Sequence, residues 1–142
     1  MGRKTSDEFY VLELCDEVLG EAGIRQHRFD WLLGDPGTTG RQVRLPVDGY
    51  WPQANLVVEY RERQHDQPVP HFDKPGRLTV SGVHRGVQRA LYDARRDELI
   101  PAHGISLIVI TPGDLDATPR GRLRRNADHD LRAIARILGR SR

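Results

Sequence analysis

Residues 47–60 read Val-Asp-Gly-Tyr-Trp-Pro-Gln-Ala-Asn-Leu-Val-Val-Glu-Tyr, and this stretch predicts a β-hairpin of defined register. Residues 52–55 have the composition of a turn, and the flanking residues are mostly β-branched, aromatic or apolar. A four-residue turn, or a two-residue turn at its centre, places Asp48 directly opposite Glu59. A bulge at Gly49 would shift this register.

Two carboxylates that oppose each other on one face of a sheet indicate a candidate metal-binding site. Directly opposite residues have Cβ atoms roughly 4.5 to 5.5 Å apart, and two carboxylates at that distance repel unless a proton or a cation lies between them. Carboxylate oxygens suit Mg²⁺, so Asp48 and Glu59 are candidate metal ligands. Strand alternation places Arg61 on the same face as Glu59, where it could contact a phosphate. The alternative is a solvent-exposed strand face that tolerates its like charges.

The segments before the hairpin predict a helix and two strands. Residues 5–8, Thr-Ser-Asp-Glu, have capping-box spacing, and an apolar stripe that includes Cys15 follows at helical spacing as far as Gly20. Residues 28–34 predict a strand, and residues 43–47 a second one that leads into the hairpin. Pro46 favours an edge or bulged position for this second strand.

The segments after the hairpin predict a crossover. Residues 64–81 read mostly as a long loop, and residues 83–100 keep helical spacing. Residues 105–110 form a nearly all-apolar run, which is typical of a strand buried on both faces and paired in parallel. A C-terminal helix is marked by apolar positions over residues 131–138. The predicted fold is α/β, in the order α-β-β-β-α-β-α, with a mixed sheet flanked by helices.

The composition fits one soluble domain. The chain has 142 residues, a mean hydropathy of −0.60 and a single cysteine, which excludes an internal disulfide. It contains no apolar stretch long enough to cross a membrane and no secretory signal pattern. We therefore expect a cytoplasmic protein without a membrane partner.

Charge divides the chain into two parts. Residues 117–142 hold eight arginines and two aspartates, a net charge of +6, whereas residues 1–116 carry −4 of the total of +2. We expect residues 1–116 to form the α/β domain and residues 117–142 an arginine-rich linker and helix, packed on it or appended to it. An arginine-rich segment suits a polyanionic partner; arginine-rich coding bias is the alternative.

The hairpin region resembles a known family. Residues 47–60 continue as Arg-Glu-Arg-Gln-His to residue 65, and the whole is similar to the core of the PD-(D/E)xK nuclease superfamily. The similarity is greatest to small domains related to the very-short-patch-repair endonuclease, which typically read V-D-F-Y-x-P-x-x-x-L-x-x-E-x-D-G-x-Q-H. It continues in residues 93–99, which resemble the D-x-x-R-D pattern of the family's second helix, and in residues 104–110, which resemble its following strand. The match covers residues 8–112.

The resemblance implies a restriction-endonuclease-like fold and a metal-dependent DNA endonuclease. It implies that Asp48 and Glu59 bind Mg²⁺, with Mn²⁺ as a substitute, and that Gln64 and His65 belong to the site. His65 could position or deprotonate the attacking water. Arg61 stands where the family has aspartate or lysine, and arginine is a poor general base because it stays protonated.

Further site residues are expected on the first helix and in the C-terminal segment. Many relatives add a glutamate from the first helix, and Glu13 and Glu17 are the candidates; a solvated acidic helix face is the alternative for each. The expected DNA contacts are six arginines of the C-terminal segment: Arg120, Arg122, Arg124, Arg125, Arg132 and Arg136. A solvated basic helix face is the alternative for these.

Two hypotheses about function follow. The first is a Mg²⁺-dependent endodeoxyribonuclease that hydrolyses phosphodiester bonds, with DNA as its partner and a homodimer left open as its assembly. The second is a nuclease-fold protein that has lost hydrolysis and serves as a DNA-binding or protein-interaction module. The second hypothesis is motivated by Arg61 and by Glu62, which replaces a family glycine.

Overall fold

A computed structural model describes residues 5–36, 40–62 and 80–140, with the side chains of residues 80–84 excepted. The elements are α1 (Asp7–Leu19), β1 (Ile24–Leu33), β2 (Arg44–Trp51), β3 (Leu56–Tyr60), α2 (Val80–Ala102), β4 (Ser106–Ile110), a 3₁₀ turn (Pro112–Asp114) and α3 (Ala127–Ile137). The predicted α/β class and element order are confirmed. None of the helices within the described ranges is both long and apolar enough to cross a membrane.

The four strands form one mixed sheet in the order β1-β2-β3-β4. The pairs β1–β2 and β2–β3 are antiparallel, whereas β3 and β4 are parallel. Parallel neighbours need a crossover connection, and α2 lies in that connection. The predicted parallel pairing is therefore confirmed.

The sheet separates two apolar cores, and β3 is buried on both faces. Val58 of β3 belongs to the core that is closed by α1 and α3, whereas Val57 belongs to the core that is closed by Ile100 of α2. Cys15 of α1 is fully buried in the first core, as expected from its place on the apolar stripe. Glu59 therefore lies near the end of the most buried strand of the sheet, and Arg61 follows directly after that strand.

Strand β2 changes face immediately before the hairpin. Simple alternation would place Val47 and Trp51 on the same face, but Val47 lies in the α2 core and Trp51 in the α1–α3 core. The pairs around Asp48 keep one register, and Gln26 at the same level of β1 has φ = +53°. A β-carbon on Gly49 would lie 2.6 Å from the Trp51 ring. Glycine at this position therefore allows the Trp51 ring to pack closely against the Gly49 backbone.

Two details of the predicted strands need correction. Strand β4 is not buried on both faces: Ile110 is buried, but the other four residues are exposed or half-buried, because β4 is an edge strand. Strand β2 is internal and not an edge strand. Pro46 is accommodated there because the β1–β2 register shifts between Arg28 and Leu33, so the bulged alternative is the one observed.

The first turn of α1 also differs from the prediction. Ser6 is the N-cap and its side chain accepts a hydrogen bond from the Phe9 amide. The helix therefore begins one residue later than capping-box spacing from Thr5 requires, and Glu8 is not needed as a capping partner.

The C-terminal segment packs against α1. Leu123 is fully buried in the α1–α3 core, and its backbone amide donates to the Asp7 carboxylate at 3.0 Å. Asp130 of α3 is also fully buried and accepts hydrogen bonds from the Tyr10 hydroxyl at 2.6 Å and the Asp116 amide at 3.0 Å. Residues 117–140 thus contribute both apolar surface and hydrogen bonds to the same core as α1.

Candidate active site: a buried carboxylate pair beside two arginines

Asp48 and Glu59 lie across from each other where β2 and β3 separate. The pairs Gly49 with Val58 and Trp51 with Leu56 confirm the predicted hairpin register. Beyond Gly49, the backbone amides donate to side-chain carboxylates of the opposite strand and not to its backbone carbonyls. The Asp48 amide donates to Glu59 Oε2 at 2.7 Å, and the Tyr60 amide donates to Asp48 Oδ2 at 2.8 Å. Each carboxylate is therefore fixed by a backbone amide of the opposite strand.

Burial makes this carboxylate pair unusual. Glu59 is only 4 % exposed and Asp48 is half-buried, so the alternative of a solvent-exposed strand face is wrong. Burial, followed by the charge of Asp48, raises the pKa of Glu59 from its ordinary 4.5 to about 7. Burial also raises the pKa of Asp48. The site therefore disfavours two negative charges and favours either a proton or a bound cation.

Arg61 is buried and contacts carboxylates of α2. Its Nη2 lies 2.9 Å from Asp97 Oδ1, and its Nη1 lies 3.3 Å from Asp97 Oδ2, which is a two-point contact. Its Nε lies 3.7 Å from Asp93 Oδ1, and its Nη2 lies 3.9 Å from Glu59 Oε1. The predicted position on the Glu59 face is observed, but the guanidinium is turned towards α2 and away from solvent.

A second arginine, which the sequence did not single out for this role, lies beside Glu59. Arg96 Nε is 3.9 Å from Glu59 Oε1 and donates to the Pro46 carbonyl at 3.1 Å, while Nη1 pairs with Asp93 at 2.9 Å. Asp93 and Arg96, three residues apart on α2, thus form an intrahelical ion pair, and Asp97 pairs with Arg61. Arg96 adds a positive charge next to the carboxylate pair.

The helix α1 presents Glu8 to the pair. Glu13 and Glu17, the two glutamates expected from the sequence, are exposed. Glu8 is half-buried, and burial together with the charges of Asp48 and Glu62 raises its pKa to about 6. Leu12, one turn further along α1, approaches the β-carbon position of Gly49 at 3.4 Å. Glu8 lies four residues before Leu12 and therefore on the same face of α1. This spacing could have identified Glu8 as a residue that faces the sheet.

The donor set has the chemistry that Mg²⁺ requires. Mg²⁺ is usually held by one or two carboxylates together with water and phosphate oxygens, and Asp48 and Glu59 offer two hard oxygen ligands. Among the described residues, no group of three or more histidine, cysteine, aspartate or glutamate side chains could hold a metal ion. Gln64 and His65 lie outside the described residues.

The six C-terminal arginines fall into two groups. Arg124 pairs with Asp116 at 2.9 Å, and Arg125 pairs with Asp7 at 3.1 Å and lies over the Tyr10 ring. The other four are exposed: Arg120, Arg122, Arg132 and Arg136. The side chains of Arg124 and Arg125 are therefore engaged in contacts within the chain.

Comparison of the chain with protein-family models, curated proteins and solved structures finds no match.

Proposed function

We propose that the protein is a Mg²⁺-dependent endodeoxyribonuclease in which Asp48 and Glu59 hold the metal ion and Mn²⁺ can replace it. The observation that carries this proposal is the buried carboxylate pair, each member of which accepts a hydrogen bond from the opposite strand. A divalent cation would neutralise charges that burial disfavours. The restriction-endonuclease-like arrangement of the fold belongs to the same proposal.

A bound Mg²⁺ would supply Lewis acidity to a phosphate oxygen during hydrolysis. The protein groups around it have separate tasks. The amides of Asp48 and Tyr60 fix the orientation of the two carboxylates. Arg96 places positive charge beside Glu59, where negative charge develops on the phosphate. Glu8 adds a third negative charge and so strengthens the attraction for a cation.

The resemblance to the nuclease superfamily adds Gln64 and His65. In this proposal His65 positions or deprotonates the attacking water, since an unperturbed imidazole titrates near neutral pH. The four exposed C-terminal arginines are proposed contacts for DNA phosphates outside the site. The protein is proposed to act in the cytoplasm, with a homodimer as a candidate assembly that light scattering would test.

A second function is favoured by one specific observation. Arg61 occupies the position of the family's lysine or aspartate, and its guanidinium is held by Asp97 at 2.9 Å and lies near Asp93 and Glu59. A fixed cation within an acidic cluster reduces the need for a metal ion. This favours a nuclease-fold module that binds DNA or a protein without hydrolysing it.

Plasmid and oligonucleotide cleavage in Mg²⁺ and Mn²⁺ separates the two functions. We expect the wild-type chain to cleave and Asp48→Asn to lose cleavage at least a hundredfold, because asparagine keeps an acceptor for the Tyr60 amide but removes the charge. Glu13→Gln, which removes an exposed carboxylate from α1, is the matched control and should cleave normally. DNA binding by the wild-type chain without cleavage of any substrate would favour the second function.

A further inference from the structure

A basic pocket lies beside the carboxylate pair, between α2 and the connection from β1 to β2. Its volume is about 590 Å³, within the range of pockets that bind small ligands. Its lining includes one carboxylate, Asp35, and four arginines: Arg28, Arg41, Arg44 and Arg96. We call it the arginine pocket.

The described residues that line the arginine pocket carry more positive than negative charge, with four arginines against one aspartate. Asp35 is paired with the further arginine Arg95 at 3.0 Å. Arg44 pairs with Asp30 at 2.8 Å, but both side chains are more than half exposed. Exposed ion pairs typically contribute less than about 1 kcal/mol, so an anion in the pocket can compete for Arg44.

Hydrogen bonds fix the wall of the pocket. The Asp35 amide donates to the Tyr92 hydroxyl at 2.9 Å, and Arg95 Nη1 donates to the Leu33 carbonyl at 2.9 Å. A β-carbon on Gly34 would lie 3.0 Å from the Tyr92 hydroxyl oxygen, so glycine permits this close approach. Gly34 and Asp35, which follow β1, are therefore held against α2.

Arg96 joins the arginine pocket to the carboxylate pair. It lines the pocket, and its Nε also lies 3.9 Å from Glu59 Oε1. One guanidinium thus borders both the basic pocket and the proposed metal ligands. An anionic strand that crosses the carboxylate pair would have a positive pocket next to it.

We propose that the arginine pocket binds a backbone phosphate of the DNA strand, adjacent to the phosphodiester that reaches Asp48 and Glu59. Arginine suits this role because its planar fork can donate two hydrogen bonds to one phosphate. The inference rests on the proposed function for the identity of the polyanion. It places a phosphate contact on the α2 side of the sheet, whereas the C-terminal arginines follow the α1–α3 side.

The test measures DNA binding without cleavage. A fluorescent 20-base-pair duplex is titrated in EDTA with the full chain and with Arg28→Ala, Arg41→Ala and the double variant, at several salt concentrations. Both side chains are exposed, so the variants should fold, and thermal unfolding checks this. Arg140→Ala removes the same charge from an exposed arginine outside the pocket and is the matched control.

Each pocket variant should lose about tenfold in affinity at 0.1 M salt, and the slope of log K against log salt should fall by about 0.9 per lost contact. Arg140→Ala should change neither by a comparable amount. Wild-type affinity and slope in the double variant would overturn the inference, as would an equal loss in Arg140→Ala. Displacement of the duplex by an equal concentration of dTMP would also overturn it, because it would assign the pocket to a free nucleotide. Binding in EDTA does not depend on hydrolysis. A failure of the nuclease proposal would therefore appear in the cleavage assay and not in this binding experiment.

Discussion

The Glu59 carboxylate accepts a hydrogen bond from the backbone amide of Asp48 at 2.7 Å, so this bond connects the two carboxylate-bearing residues across the strands. The Asp48 carboxylate accepts the Tyr60 amide in the same way. Both acceptors are stabilised in their charged form by these amides, while burial opposes that charge. Backbone amides therefore hold the two carboxylates in place, and a bound cation can balance the negative charge of the carboxylates.

The pH dependence of stability should report this buried pair. A pKa of Glu59 raised from 4.5 to about 7 means that the folded state holds a proton which the unfolded state releases. Stability is then full below about pH 4.5 and falls as pH rises towards 7. In EDTA, Glu59→Gln should reduce this fall, to which the raised pKa values of Asp48 and Glu8 also contribute, and be more stable than wild type at pH 8 by about 3 kcal/mol. Urea unfolding from pH 5 to 8 measures the difference.

The control for this experiment is Glu13→Gln, which removes an exposed carboxylate from α1. Its stability should follow the wild-type curve at every pH. Parallel curves for wild type and Glu59→Gln would show that the pKa of Glu59 is not raised by burial in the folded state.

Arg61 should be important for stability. Removing it leaves Asp97, Asp93 and Glu59 without the cation that lies near all three. Loss of one partner from a buried ion pair typically costs about 3 to 5 kcal/mol, and we expect Arg61→Ala to lie near 3 because Asp97 is half exposed. Arg44→Ala, which breaks an exposed pair, should cost less than about 1 kcal/mol. Equal losses in urea unfolding would show that Arg61 is not a structural cation.

Gly49 should tolerate no side chain. An added β-carbon lies 2.6 Å from the ring of Trp51, which is fully buried and donates from its indole nitrogen to Asp16 at 2.8 Å. Gly49→Ala should therefore destabilise the fold by about 1 to 3 kcal/mol. Gly86→Ala lies within α2 with open space around it and should stabilise by up to about 1 kcal/mol. Thermal unfolding midpoints that move in the same direction would contradict this packing argument.

Glu8 should influence cation affinity although it is not proposed as a direct ligand. Its pKa is raised to about 6 by burial and by the charges of Asp48 and Glu62, which indicates that these negative charges interact with it. Glu8→Gln should weaken Mn²⁺ binding about fivefold, equivalent to about 1 kcal/mol. Glu17→Gln, an exposed change on the same helix, should leave the affinity unchanged. Calorimetric titration distinguishes the two, and equal affinities for both variants would remove Glu8 from the site.

The sequence predicted the elements that local pattern controls. Hairpin register depends on the turn and on strand alternation, so the opposition of Asp48 and Glu59 could be worked out in advance. The change of face in β2 could not be predicted in this way, because it depends on the packing of the Trp51 ring over Gly49, which is a tertiary contact. The exposure of β4 also depends on strand order, since an apolar strand is covered fully only when it is internal.

The neighbours of the carboxylate pair were harder to predict than the pair itself. Glu8 is not among the α1 glutamates expected from the sequence, which are Glu13 and Glu17, because the angular position of α1 relative to β2 is a tertiary property. Asp97 pairs with Arg61 across 36 residues, whereas helical spacing predicts only ion pairs between residues three or four apart. Long-range ion pairs of this kind leave no periodic pattern in the sequence.

The most direct test of the central claim is a calorimetric titration of Mn²⁺ into the wild-type chain and into Asp48→Asn at pH 7.5. We expect one site per chain in the wild type and at least a tenfold weaker affinity in the variant, with the thermal unfolding midpoint raised by Mn²⁺ more in the wild type than in the variant. Absence of binding to the wild type, or equal affinity in the two chains, would contradict the claim that Asp48 and Glu59 hold a divalent cation.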